Sequence, residues 1–480
     1  MSERPDDTLE DEIPEAGPEE NPEGKPEEPI EPEQDEVDAA VIAALDTGDA
    51  EGLKDLVDGL HYADVADIVE RLSSDRREQL IQAIGPELAP DVLAELDETV
   101  REDLFEAMEP EQIAAVVQDL DSDDVVEIVK ELEDEDQQKV LEAMPAPDRR
   151  LVEQSLSYPE DSAGRMMQRE VVTVPTHWTV GETIDYMRAA ADNETDLLPE
   201  SFYDIFVVDP VHKPVGAIHL SHLLRSKRPI RVAEIMQTEL KLIPVEMDQE
   251  EVAFLFRQRD LVSAPVVDEA QRLVGAITID DVVDVIHEEH EEDMLALAGV
   301  GEADLYDAAI DTTKARFRWL LVNLFTAILA SMVIGLFETT LERVVALAIL
   351  MPIVASMGGN AGTQTLTVAV RALATRELSS TNAVRVIGKE LLVGGINGVL
   401  FAVITGGIAW GWFQDPMIGL VIGMAMVVNM IVAGLAGASI PLMLDRAGVD
   451  PAIASSVFLT TVTDVVGFFA FLGLAAAFML

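Results

Sequence analysis

The chain of 480 residues has no cysteine, which excludes disulfides, thiolate metal sites and cysteine nucleophiles together. It is also poor in positive charge. Only 32 residues are Lys or Arg against 90 Asp and Glu, a formal net charge of −58, and just 9 of the bases are lysine. No nucleic-acid footprint survives that balance, so nucleic acid is not an expected partner. The N-terminus is polar and acidic, without the apolar stretch of a signal peptide.

What is present falls into two parts. From Ala315 to Leu480 there are 8 acids and 8 bases, while the preceding 314 residues hold 82 acids and 24 bases. The whole net charge therefore sits in the first part. An acidic surface of this density has two readings, cation binding or a surface solvated for a salt-rich cytoplasm. Salt adaptation accounts for the bulk of it, and particular carboxylates remain candidate ligands.

Residues 1–37 are Glu, Pro, Asp and Gly with few hydrophobes, a composition that predicts disorder. Residues 38–164 show a helical period and a loose repeat: DVADIVERL from Asp64, DVLAELDE from Asp91 and DVVEIVKEL from Asp124. Each is followed by a second short amphipathic helix, as in a solenoid-like pile. Nothing in this region has a catalytic pattern.

Between about 165 and 290 the pattern changes to short β-branched strands alternating with helices. IFVVDPVHKPVGAIHLSHLL from Ile205 and APVVDEAQRLVGAITIDDVV from Ala264 match each other as strand, turn, strand and helix. The duplication resembles a tandem pair of CBS modules, placed at 165–228 and 229–290. Such pairs often bind adenine nucleotides. Gly275, Thr278 and Asp281 stand at suitable spacing in the second unit, whereas His219 and His222 occupy those positions in the first. An adenine nucleotide at the pair is therefore not expected. Residues 287–314 are read as a connecting segment of two helices, His287–Ala298 and about 303–314, of which the first is very acidic.

Five apolar segments follow, at about 317–337, 344–370, 391–413, 417–444 and 452–479, each long enough to cross a hydrocarbon core. Arginine and lysine flank alternate loops so that the N-terminus lies in the cytosol and the C-terminus outside. The second segment carries Pro352 and then Gly358, Gly359, Asn360, Gly362 and Gln364. Asn360 and Gln364 share a helix face, which favours a polar lining, although tight packing alone also explains the glycines. The fifth segment carries Asp464 at its midpoint with Thr460, Thr461 and Thr463 around it. An acid there costs about 2.5–3.5 kcal/mol on insertion scales. It points to a cation site or a proton relay. Hard oxygen ligands suit Mg2+ or Ca2+, and Mg2+ characteristically keeps its waters and uses one or two carboxylates.

The acidic helical N-domain, YPEDSAGRMM from Tyr158, the duplicated module, the acidic connector, and PIVASMGGNAGTQ and TTVTDVVG within the spans together resemble the MgtE family of magnesium channels. The resemblance covers about residues 40–480. It implies a multi-domain membrane protein: an α-helical superhelical N-domain, an α/β tandem CBS pair, and an all-α domain of five helices from 315 to 480. It further implies a homodimer in the cell membrane that conducts Mg2+, with Mn2+ and Co2+ as further candidate ions, and no enzymatic activity. Asp464 would be the pore carboxylate, with the Thr460 carbonyl beside it and the connector acting as a plug. Cytosolic Mg2+ would lock the pore by bridging Asp91, Asp123 and Glu127 to Asp248, Glu250, Asp260, Asp281 and Asp284, and to Glu289, Glu292 and Asp293. Two other readings stay open, a proton-coupled divalent-cation transporter and a membrane-anchored sensor without transport.

Overall fold

The computed structural model describes residues 34–57, 59–84, 90–106, 108–132, 134–191, 198–199, 201–300, 309–379 and 381–479. The tail expected to be disordered lies outside them up to residue 33, and from Gln34 the chain is helical. The chain forms two compact units, residues 1–88 and 89–480.

The first unit holds α1 (Gln34–Thr47), α2 (Ala50–Val57), α3 (Tyr62–Arg71) and α4 (Ser74–Ile84). Its core is Val41, Leu53, Val65, Ile68, Val69 and Leu80. Arg77 is buried because its guanidinium closes the end of α3, Nε donating to the Val69 carbonyl (3.0 Å) and Nη2 to that of Glu70 (2.8 Å).

The second unit begins with α5 (Pro90–Ala94), α6 (Glu98–Glu106), α7 (Pro110–Val116), α8 (Ser122–Glu131), α9 (Asp134–Ala143) and α10 (Ala146–Leu156). The same closure recurs twice. Arg101 donates to the Leu93 and Ala94 carbonyls, and Gln137 to that of Val129. In each case the donor follows the first carbonyl it caps by eight residues. This corrects the expected repeat register: Val69, Leu93 and Val129 are the equivalent positions, so Asp91 is not the counterpart of Asp64 and Asp124.

Two three-stranded sheets follow with the same topology. In the first, β1 (Thr173–Pro175) runs parallel to β2 (Asp204–Val208), which pairs antiparallel with β3 (Pro214–His219). In the second, β4 (Ile243–Pro244), β5 (Ser263–Val267) and β6 (Leu273–Thr278) repeat that order and carry a bulge at the equivalent place. The helices are α11 (Val180–Ala191), α12 (Leu220–Arg225) and α13 (Val232–Ile235) with the first sheet, and α14 (Gln249–Arg259) and α15 (Ile279–Ala298) with the second. The linkers cross between cores. Tyr158, Ala163, Met166 and Met167 pack into the second core, and Ile230, Val232, Ile235 and Met236 into the first. Packing thus cuts across the boundaries expected at 164/165 and 228/229. Gly164 and Gly275 mark where the first linker passes: a methyl on Gly275 would stand 2.7 Å from the Gln168 carbonyl oxygen.

α15 is one helix of 20 residues. The segment from His287 is therefore not a separate helix but the continuation of the last helix of the second module. It ends at Gly299 in the left-handed region (φ 72°), where the Trp319 indole leaves no room for a side chain. Residues 301–308 lie outside the described set, and the chain then enters α16 (Ala309–Gly335). α17 (Glu338–Arg343), α18 (Ala346–Ala374), α19 (Ala383–Phe413), α20 (Pro416–Arg446) and α21 (Pro451–Met479) complete it. Among the described residues, five helices (α16 and α18–α21) are long and apolar enough to cross a membrane.

α20 is central, packed against α18, α19 and α21. Glycines let it touch α19 backbone to backbone. A methyl on Gly419 would stand 2.6 Å from the Gly406 carbonyl oxygen, one on Gly394 2.6 Å from that of Met430, and one on Gly434 2.8 Å from that of Glu390. Such small-residue contacts hold helices together in lipid, where no hydrophobic force separates helix from solvent. The outward faces of α16 and α19 carry Phe317, Leu320, Phe325, Leu392 and Val403, all exposed.

Candidate cation path and acidic regulator

α18 has two unlike faces. Leu347, Leu350, Val354, Gly358, Gly362 and Leu366 are buried against the bundle. Pro352, Ser356, Asn360, Thr363, Gln364 and Thr367 are exposed on the other side, with Asn360 Nδ2 3.4 Å from Ser356 Oγ. Pro352 has no N–H, so the Ala348 carbonyl one turn back loses its helical donor. A polar row on the outside of a membrane-length helix is costly against lipid, because polar groups there have no water. It calls for a partner surface or a water-filled passage.

Not every residue expected to line that face does so. Gly358 lies against the Asn429 carboxamide of α20, and Gly362 against Leu459 of α21 and Gly437 of α20. Both are packing residues; Gly359 faces open space. On α21, Thr463 is fully buried and its hydroxyl donates to the carbonyls of Leu459 and Thr460 (both 3.1 Å). Thr461 is half-buried and donates to the Val457 carbonyl (2.7 Å). Thr460 is exposed and Asp464 half-buried.

The depth of Asp464 follows from the glycine contacts. Gly362 meets Leu459, and Gly358 and Gly467 both meet Asn429. Those contacts bracket Asn360 on α18 and Asp464 on α21, so the two lie at one level. Sequence reading missed two further polar groups. Asn429 is fully buried in the middle of α20, visible in the sequence as one amide in an apolar run. Glu390 precedes the apolar segment that begins at 391, but α19 starts at Ala383 and takes it inside. Thr365 Oγ1 donates to Glu390 Oε2 (3.2 Å), at a cavity of about 210 Å3 also lined by Gln364 and Asn397.

The regulatory acids form two neighbourhoods. Near the start of α8, Asp123 has a buried Oδ1 with no hydrogen-bond partner among the described residues. Burial and the facing carboxylates of Asp281 and Asp124 hold Asp123 well above the usual carboxylate range. Burial, with Glu127, Asp121 and Asp281 nearby, pushes Asp124 up to about 7. Burial, with Glu127 and Asp284, takes Glu288 to about 7, and burial raises Asp281 to about 6. Asp284 is raised as well, by burial and Glu127. Glu127 and Glu131 share Arg101, whose Nη2 lies 3.1 Å from Glu127 Oε1. Asp281 also accepts from the Thr278 hydroxyl (2.9 Å) in a capping box that starts α15. That box occupies two of the positions at nucleotide-binding spacing. In the first module, His219 Nδ1 lies 2.6 Å from Asp204 Oδ1, and Ser263 Oγ donates to Asp204 Oδ2 (2.6 Å).

The second neighbourhood joins α14, α15 and the start of α21. Glu250 is raised by burial and by Glu289, Asp248 and Asp293; Asp293 by burial and by Asp450, just before α21. Gln249 Nε2 donates to Glu289 Oε1 (3.0 Å). Asp248 caps α14, accepting from the Glu250 amide, and Asp260 ends it in the left-handed region (φ 52°). Asp91 is exposed at the first turn of α5, and Glu292 is exposed on α15. Among the described residues, no group of three or more Asp, Glu or His converges as a metal ligand set. Close by, Ala296 and Leu297 of α15 pack with Leu366, Val370, Ile440 and Leu459, at one end of α18, α20 and α21. Arg376, which follows α18, stacks its guanidinium 4.4 Å over the Phe254 ring of α14 and lies 3.8 Å from Glu251.

Residues 351–474 match the family model described as MgtE, divalent cation transporter. Residues 60–161 match the MgtE intracellular N domain, and 163–228 and 232–288 the CBS domain. A magnesium transporter MgtE of Bacillus subtilis is 30% identical over 450 residues, covering 93% of this chain and 98% of the relative. One from Thermus thermophilus is 38% identical over 330 residues, covering 68% and 72%. A solved structure, the cytosolic domain of the Mg2+ channel MgtE in complex with ATP, is 31% identical with a TM-score of 0.48, covering 52% of this chain and 99% of that one. With full-length similarity to a curated relative and all three domain models matched in order, the chain belongs to the MgtE family of divalent cation transporters.

Proposed function

We propose that this protein is a Mg2+-selective channel for uptake across the cell membrane, closed from the cytosolic side by Mg2+ itself. One observation carries the reading: the exposed polar row of α18 at the level of Asp464, in a domain whose α16 and α19 faces are apolar. A second copy placed on that row would enclose it and pair two Asp464 side chains across the axis. Two carboxylates with hydroxyl and carbonyl groups suit an ion that keeps its water shell, as Mg2+ does. The Mg2+ transport named for the relatives agrees with this. Arg316 and Arg318 in the first turns of α16, and Arg376 between α18 and α19, support a cytosolic regulator and a C-terminus outside.

Gating follows from like charge. Asp123, Asp124 and Glu127 of α8 face Asp281, Asp284 and Glu288 of α15, and Glu250 and Glu289 cluster with Asp293, which faces Asp450. Without a cation these pairs repel; a divalent ion between them favours the closed arrangement by its differential affinity for it.

The test is ion flux in reconstituted vesicles. Asp464→Ala is expected to abolish Mg2+ influx with the protein still folded, and unchanged influx overturns the path. Running the assay with and without a pH gradient separates the channel from a proton-coupled transporter, which requires the gradient.

A further inference from the structure

Asn429 is a polar group that stability does not explain. It is fully buried in α20. Its Nδ2 donates to the Val354 carbonyl of α18 (2.8 Å), while its Oδ1 is buried with no hydrogen-bond partner among the described residues. An unpaired amide oxygen in a nonpolar interior is destabilising, and a side chain of the same branched shape without polar atoms would avoid that cost. The flat carboxamide also sits in a slot made for it. Gly358 of α18 and Gly467 of α21 both lie against it, and a methyl on Gly467 would stand 2.9 Å from Nδ2. Both glycines lie one or two turns at most from the polar residues of the candidate path. Gly467 is three residues beyond Asp464, and Gly358 two before Asn360.

We propose that Asn429 is a positioning residue for ion selectivity. Its carboxamide pins α18 to α20 by the bond to Val354, and its plane spaces α21 from α18. Together these fix the level and distance at which Asp464 faces the Asn360 row. A hydrated ion reads that separation, because its water shell must bridge both walls at once. Loss of the pin lets the two walls adjust to ions of other size. This rests on reading α18 and α21 as the ion path.

The test uses the full chain in vesicles and compares Mg2+ with Ca2+ influx, alongside thermal melting in detergent. Asn429→Leu keeps the branched shape and removes both the hydrogen bond and the unpaired oxygen. The expected result is a melting temperature unchanged or raised, with the Mg2+/Ca2+ flux ratio lowered about three- to tenfold, the span of one interhelical hydrogen bond. An unchanged ratio overturns the proposal, whatever the melting temperature. If the leucine does not fit between the glycines, Asn429→Ala carries the same comparison, and an unchanged ratio in it also overturns the proposal. Asp464→Ala is measured in parallel. Full flux in that variant removes the path reading itself, whereas lost flux there with an unchanged ratio in the Asn429 variants removes the pin alone.

Discussion

Neutralising Asp124 should stabilise the regulator in neutral, cation-free solution. In the folded chain Asp124 titrates at about 7, raised by burial first and then by Glu127, Asp121 and Asp281. In the unfolded chain it titrates near 3.8. Between those values the folded state holds the proton more often than the unfolded one, so stability rises as pH falls through that window and levels off below it. Above pH 7 the folded chain carries the buried charge in full. Three pKa units correspond to about 4 kcal/mol, and solvent contact and screening bring the working figure to roughly 2 kcal/mol. Asp124→Asn removes that penalty. At pH 8 in chelator, its melting temperature should exceed the wild type by about 4–8 °C, at the 2–4 °C per kcal/mol typical of larger domains. At pH 5.5 the offset should fall to about half, and the two should converge only as the pH drops below about 3.8. Other carboxylates of this acidic chain push the wild-type curve the same way, so the difference between variant and wild type is the quantity to read. A variant that melts lower than wild type at pH 8, or an offset independent of pH, refutes the electrostatic account of this cluster.

Arg376→Ala removes the stack on Phe254 and the contact with Glu251, a half-exposed pair that contributes about 1–2 kcal/mol. Flux should then need about five- to tenfold more cytosolic Mg2+ to shut off, and an unshifted midpoint counts against coupling through this contact. Gly419→Val forces side-chain atoms onto the Gly406 carbonyl and separates α19 from α20. It should cost 1–3 kcal/mol or more, read as lost yield of monodisperse protein in detergent.

The architecture was largely legible because each solvent imposes its own period. Lipid demands continuous apolar helices, and the five spans stood out by length. The strand-turn-strand duplication marked the two modules, and a charge at mid-span marked Asp464 by its cost alone. The sequence also separated an acidic regulator from a neutral membrane part. What the period does not encode is which side of a helix meets which neighbour. Gly358, Gly362 and Thr463 share a motif with Asn360 and Thr460, yet α18 and α21 turn the first three inward, because close backbone approach leaves room only for small side chains there. The continuation of α15 through His287 was hidden because a run of acids has the same helical period as the module before it. The pairing of Asp123 and Asp124 with Asp281, and of Glu127 with Glu288, joins residues some 160 positions apart. Asn429 needed the packed bundle for its meaning. One amide in an apolar helix is a curiosity in sequence, and only three converging helices make it a spacer between two walls.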